Sequence, residues 1–130
     1  MNILVSSNAP WTTSGYGNQT ALLTARLRDA GHNVGISCFY GLEGGAIDWA
    51  GIKCYPTDQS RFGAVRVHEY ARHHFGGDVR NGIVMLLQDV WVLMQGAANY
   101  GQTRLVSWCP VDHDPVPPLV IEFLKQTGAR

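Results

Sequence analysis

The chain has 130 residues, 45% hydrophobic and 15% charged, with a formal net charge of zero. This length allows one domain with a buried core, and the composition excludes a disordered tail. No basic stripe interleaved with aromatic residues is present, so we expect no nucleic-acid partner. The apolar run after Met1 is too short for a signal peptide and lacks a basic flank. A cytoplasmic location is therefore predicted.

The hydrophobic pattern predicts strands alternating with helices along the whole chain. The predicted strands cover residues 2–7, 33–39, 52–55, 82–88 and 104–108, and the predicted helices cover 19–30, 64–75, 90–98 and 117–126. Gly31 is expected to end the first helix as a left-handed cap. The continuous apolar core from Ile83 to Leu87 indicates a strand buried on both faces. Together these elements predict a Rossmann-like, three-layer α/β domain with a mostly parallel sheet.

The cysteines indicate the redox environment. Cys38, Cys54 and Cys109 are odd in number, widely spaced and free of any CxxC pairing. This usage is typical of buried thiols in a reducing compartment.

Sheets of this kind bind ligands beyond the carboxyl ends of their strands, which makes the functional loops predictable. They cover residues 6–18, 39–51, 88–91 and 110–117. In the first loop, Gly15 and Gly17 precede a predicted helix. They could let an anion approach the amino-terminal end of that helix, or they could only permit a tight turn. Thr20 stands where a dinucleotide fingerprint needs a small residue, and no lysine follows the glycines as in a P-loop. NAD binding and a P-loop are therefore disfavoured.

The segment WCPVDHDPVPP places Asp112, His113 and Asp114 after a predicted strand, in a stretch stiffened by prolines. A carboxylate beside an imidazole can orient it for hydrogen bonding or proton transfer. The two aspartates could equally form a turn and a helix-entry cap. At the end of another strand, Asp89 could accept sugar hydroxyls or cap the helix that begins near Val90.

Two further groups of residues are weaker candidates. Trp11 lies in a predicted loop and could be a stacking platform for a sugar or base, or it could pack at the rim of the core. The helix HEYARHH lacks the zincin spacing of two histidines four apart, so no metal site is predicted. We expect Glu69 and His73 to form a surface pair instead.

The stretch MNILVSSNAPWTTSGYGNQTALL, followed by a helix ending in GH and a strand, resembles the opening of family 4 retaining glycosyltransferases of the GT-B fold. The stretches FYGLEGGAIDWAGIKCYP, LLQDVWVL and WCPVDHDPVPP are similar to the same amino-terminal domain. The resemblance covers nearly all of the chain. It implies that residues 1–130 form the acceptor-side half of a GT-B architecture, truncated and without the carboxy-terminal domain that binds the donor.

The resemblance also implies roles for individual residues. The loop near the diphosphate of the nucleotide-sugar donor comprises Ser14, Gly15, Tyr16, Gly17 and Asn18. His113, accompanied by Asp112, matches the histidine that lies near the transferred sugar, and these two are the expected catalytic residues. The candidates for contact with the acceptor or sugar are Asp89, Trp11 and Asp114.

The function implied by the resemblance is transfer of a sugar from a nucleotide-sugar donor to an unknown acceptor, with net retention. No metal or other cofactor is expected, because the leaving phosphate takes the proton of the acceptor. The 130 residues alone are expected to be inactive without the second domain, and peripheral membrane association is expected only of the full-length enzyme. The alternative, from another class, is a non-catalytic Rossmann-like module that binds a ligand or partner in the same cleft.

Overall fold

A computed structural model of the chain describes residues 1–60 and 63–130. The strands are β1 (Asn2–Ser7), β2 (Asn33–Cys38), β3 (Ile47–Trp49), β4 (Ile52–Tyr55), β5 (Gly82–Leu87) and β6 (Leu105–Trp108). The helices are α1 (Gly15–Asp29), α2 (Val67–His74), α3 (Ala97–Tyr100) and α4 (Pro118–Thr127). Two segments of 3-10 helix, Val79–Asn81 and Val90–Gly96, flank β5.

The strands form one sheet in the order β3-β4-β2-β1-β5-β6. Every described pair is parallel except the β3–β4 hairpin. The predicted mixed α/β architecture with a mostly parallel sheet is therefore confirmed, and it is compatible with a Rossmann-like fold. The central position of β1, between β2 and β5, places the loop after β1 in the middle of the carboxyl edge of the sheet.

Helix α1 packs on one face of the sheet through small residues. Its buried positions are Gly17, Thr20 and Thr24. The hydroxyls of Thr20 and Thr24 bond the carbonyls of Tyr16 and Thr20, both at 2.7 Å, so burial leaves neither hydroxyl unpaired. In the part of the chain that the structure describes, no helix has both the length and the apolar character needed to cross a membrane.

Helices α2, α3 and α4 cover the other face of the sheet. Their core contacts include Leu4 and Leu86 of the sheet with Phe123 of α4. On the α1 side, β5 and β6 leave Ile83, Met85 and Val106 only half-buried, because α1 contacts β1 and β2 instead. The sheet thus forms the middle of three layers, with uneven cover on its two faces.

The end of the chain pairs with the outer edge of β6. Gly128 ends α4 in the left-handed region with a φ of 64° and reverses the chain. The Arg130 amide then donates to the Leu105 carbonyl at 3.1 Å, and the Arg130 carbonyl accepts from Ser107 at 3.0 Å. This is the bonding pattern of a parallel strand pair.

Several predicted boundaries differ from the observed ones. Strand β3 lies inside the segment that was predicted as the loop 39–51, so that prediction is wrong there. Helix α1 begins at Gly15, four residues before the predicted Gln19, because Ser14 caps it. The predicted helix 90–98 is a 3-10 segment that continues into α3.

Candidate functional site

The candidate site lies at the carboxyl edge of three neighbouring strands. β1 pairs with β5, and β5 pairs with β6, all in parallel. The segments that follow these strands contain the glycines, Asp89 and the Asp112–His113 pair, respectively. Because parallel strands bring their carboxyl ends to one edge, these three segments emerge side by side. We call this edge the rim.

The glycine turn, residues 8–18, is held by a small network around Ser14. Ser14 is the N-cap of α1, and its Oγ accepts from the Gly17 amide at 3.0 Å. The side-chain amide of Asn8 donates to the same oxygen at 3.0 Å, and the Thr12 hydroxyl lies 3.2 Å from that oxygen. A cap of this kind contributes about 0.5–2 kcal/mol to stability. The sequence did not identify Ser14 as a cap, although a serine before a helix is the ordinary signal.

The two glycines have different surroundings. A Cβ at Gly17 would lie 2.2 Å from Thr12 Oγ1 and 2.5 Å from the Thr12 carbonyl oxygen. A Cβ at Gly15 would meet no described atom within 4 Å. Gly17 therefore permits a close backbone approach, whereas Gly15 leaves the start of α1 open to a ligand.

The first turn of α1 suits an anion. It contains no acidic side chain. The amides of Gly15 and Tyr16 have no acceptor among residues 1–60 and 63–130. Asn18 is exposed, and its backbone amide donates to the Ser14 carbonyl at 3.0 Å. Unpaired amides at a helix start are the groups that bind phosphate in many proteins.

Tyr16 connects the glycine turn to the other two segments of the rim. The Asp89 carboxylate lies near enough to the Tyr16 hydroxyl to disfavour the phenolate, and Asp112 and Cys109 add smaller effects. Burial, followed by these charges, raises the pKa of Tyr16 from 10.0 to about 12. Tyr16 therefore remains a hydrogen-bond donor at neutral pH.

Asp89→Asn is expected to lower the pKa of Tyr16 toward 10.0, because the largest charge acting on the phenol is removed. Folding raises this pKa, so the stability that Tyr16 contributes is present below pH 10 and is lost as the pH rises toward 12. Ultraviolet titration of the phenolates, with Tyr16→Phe to identify the signal, measures the change. Asp114→Asn is the control and should leave the signal in place. An unaltered Tyr16 signal in Asp89→Asn would contradict the contact.

The Asp112–His113 pair lies on the exposed side of the rim. Nδ1 of His113 lies 2.5 Å from Oδ1 of Asp112, and the side chains are 69% and 89% exposed, respectively. An ion pair this exposed adds little stability, so its effect is to orient the imidazole. The negative charge of Asp112 also contributes to the raised pKa of Tyr16.

Two predicted contact residues lie apart from this group. The Trp11 indole donates to the Gly41 carbonyl at 2.7 Å, which holds the ring against the segment after β2. Asp114 is exposed and makes no hydrogen bond or ion pair to any described residue. It does not cap α4 either, because Pro117 is the N-cap of that helix. Asp89 occupies the N-cap position before Val90 but makes no capping bond within the described chain.

The surface pair predicted for Glu69 and His73 is wrong. Glu69 accepts from Arg66 Nε at 3.0 Å, while His73 Nδ1 lies 3.0 Å from the Tyr55 hydroxyl. The His73 ring is drawn toward β4 because Tyr55 offers a polar partner there. Between residues 1–60 and 63–130, no group of three or more His, Cys, Asp or Glu side chains could hold a metal ion.

Two buried amide side chains under the rim are additional candidates. Asn8 and Gln88 are the first residues after β1 and β5, and they are 7% and 2% exposed. Asn8 Oδ1 and both polar atoms of the Gln88 amide lack a partner of good hydrogen-bond geometry among the described residues. Burial raises the pKa of Tyr100 to about 12, and the nearby Gln88 side chain opposes part of this effect.

Buried polar atoms without partners are rare in proteins, and they often mark places where water or a ligand binds. The sequence pattern drew attention to Asp89 at the end of β5, but not to its neighbour Gln88 or to Asn8. The signal that finds both is a polar residue directly after an apolar strand. No protein-family model matches the chain, and no curated protein is significantly similar to it.

Proposed function

We propose that this chain is the acceptor-side, Rossmann-like half of a retaining, GT-B-type glycosyltransferase of family 4. The observation that carries the proposal is that the glycine turn, Asp89 and the Asp112–His113 pair follow three neighbouring parallel strands at one edge of the sheet. The buried Asn8 oxygen and Gln88 amide beneath the same rim are polar groups that still need partners. The hydroxyls of a sugar can donate to the Asn8 oxygen and can both donate to and accept from the Gln88 amide.

The groups at the rim suit different parts of the two substrates. The unpaired Gly15 and Tyr16 amides suit the donor diphosphate, because they are donors at a positive helix end. The carboxylates of Asp89 and Asp112 repel phosphate and accept hydrogen bonds from hydroxyls, so they suit the sugar or the acceptor. His113, oriented by Asp112, would bond a group of the transferred sugar.

The proposed reaction needs no protein base at the acceptor. Charge builds on an oxocarbenium-like sugar as the bond to the diphosphate breaks, and the leaving phosphate takes the acceptor proton. Fixed donors at the glycine turn would stabilise the negative charge that develops on the leaving diphosphate and so accelerate the step. The residues of this chain would orient the sugar, while a second domain would hold most of the donor.

Weak donor binding is the expected result for this chain alone. The segments 8–18, 88–91 and 109–117 contain no lysine or arginine, so the site lacks a cationic side chain to neutralise a diphosphate. We expect UDP-glucose, used as the probe, to bind in the millimolar range, which corresponds to about 4 kcal/mol. Amide shifts in nuclear magnetic resonance should concentrate at residues 14–18. Micromolar affinity by calorimetry would contradict the half-site assignment.

Gly15→Asp tests the position of the diphosphate. The open space at Gly15 accommodates the new side chain, and an acid in the first turn favours the helix while repelling the anion. UDP-glucose binding should weaken by about threefold to tenfold. Gly45→Asp is the matched control, since Gly45 also has no described atom within 4 Å of an added Cβ. Equal effects in the two variants would remove the glycine turn from the proposal.

A further inference from the structure

A groove of about 510 Å³ opens between the segment before α2 and the 3-10 helix after β5. One wall contains Ala64 and Val65, and the other contains Trp91, Val92 and Met94. This volume is within the range of small-molecule binding sites. None of the described residues that line the groove carries a charge.

The groove lies next to the Asp89 segment of the rim along the chain. Trp91 stands two residues after Asp89, at the start of the 3-10 helix Val90–Gly96. Its side chain is 54% exposed, and Val65 on the facing wall is also exposed. Two residues of chain keep Asp89 and Trp91 within about 7 Å of each other, so one molecule could contact both.

Both walls are held in place by contacts with each other and with neighbouring segments. A Cβ at Gly96 would lie 2.2 Å from the Ala64 Cβ, so the two backbones pack directly against each other. The Asn99 side chain donates to the Ala64 carbonyl at 3.1 Å. The Asp58 carboxylate accepts from the Val65 amide at 3.0 Å. A groove held in this way costs little ordering on binding.

From these observations we propose that the acceptor has an uncharged aryl or alkyl body, which binds in the groove while its hydroxyl lies near Asp89. This inference rests on the proposed function and adds the class of acceptor to it. Among the described lining residues, Ser60 and Gln95 have the polar side chains, so a charged body would lose hydration there without gaining a charged partner from them. An aromatic body would also stack on the Trp91 indole.

The test uses the whole chain and 2-naphthol as a neutral aryl alcohol. Amide shifts in a nuclear magnetic resonance titration should concentrate at residues 63–65 and 91–96, and glucose at equal concentration should not produce them. Trp91→Ala should weaken 2-naphthol binding by at least about fivefold, because the aromatic contact is lost. Trp108→Ala is the matched control, since both tryptophans are 54% exposed. The affinity of this variant for 2-naphthol should differ from that of the wild type by less than twofold.

A second variant guards against a loss of structure in Trp91→Ala. Val65→Lys introduces a charge on the opposite wall at an exposed position, and it should weaken 2-naphthol binding by a similar factor. Wild-type affinity in both variants, or shifts centred on the exposed Leu119 and Ile121 of α4, would overturn the proposal.

The UDP-glucose titration separates this inference from the proposed function. Binding of UDP-glucose at the glycine turn without 2-naphthol in the groove would overturn the acceptor class and leave the transferase proposal standing. Binding of 2-naphthol without UDP-glucose would count against the transferase and retain an apolar ligand site.

Discussion

Gly17→Ala is expected to lower the free energy of unfolding by about 2–3 kcal/mol, the range for overpacking a site that cannot expand. The added methyl group would overlap both the hydroxyl and the carbonyl of Thr12 and would lie 3.1 Å from the Ala9 carbonyl. Two of these three atoms belong to the backbone, so rotation of one side chain cannot relieve the overlap. The glycine turn would have to shift away from α1.

Gly15→Ala is the matched control, because the same methyl group meets open space two residues earlier. We expect it to be neutral or slightly stabilising, since alanine has the higher helix propensity. Urea unfolding monitored by circular dichroism measures both variants under one set of conditions. Equal stabilities for the two variants would show that the turn does not require the close approach at Gly17.

His113→Ala is expected to reduce turnover by about a hundredfold or more in a transferase assembled from this chain and a donor-binding domain. The imidazole is oriented by Asp112 at 2.5 Å and would bond the sugar as positive charge develops on it. Its side chain is largely exposed, so the free energy of unfolding should change little. The experiment measures kcat and KM for sugar transfer together with urea unfolding.

Two further variants serve as comparisons for His113→Ala. His32→Ala removes a histidine that precedes β2, at the opposite edge of the sheet, and turnover should be unaffected. Asp112→Asn keeps the shape but removes the charge that orients the imidazole, so a smaller decrease is expected. Turnover equal to wild type in His113→Ala would remove this residue from the mechanism.

The strands were largely predictable because their residues match their burial. β1 has the predicted bounds, Asn2–Ser7, since its apolar residues and serines are all buried near the centre of the sheet. β3 was not predicted because Ile47, Asp48 and Trp49 form too short a run to show a period. Their strand conformation depends on pairing with β4, which is a tertiary contact.

The start of α1 illustrates a different limit. Gly15 and Gly17 have low helix propensity, so the local sequence favours a loop. The helix nevertheless includes both residues, because Ser14 caps it and Gly17 fits against Thr12. These stabilising contacts are visible only when the turn is folded.

The shared position of the candidate loops was predictable, but the contacts between their side chains were not. Parallel strands imply that the segments around Gly15, Asp89 and His113 share an edge, and they do. The effect of Asp89 on the Tyr16 hydroxyl depends on side-chain directions in two separate segments. No local pattern encodes such an effect. The position of Trp11 against Gly41 could not be anticipated for the same reason.

The β3–β4 hairpin affects how this molecule meets other chains. β3 is the outermost strand on its side, it has only three residues, and Asp48 adds a charge to it. The Arg28 guanidinium also bonds the Ala50 carbonyl at 2.6 Å in the hairpin turn and fixes it to the end of α1. A short, charged and anchored border offers few free backbone groups to an approaching strand, so it protects this side of the protein from aggregation by sheet extension.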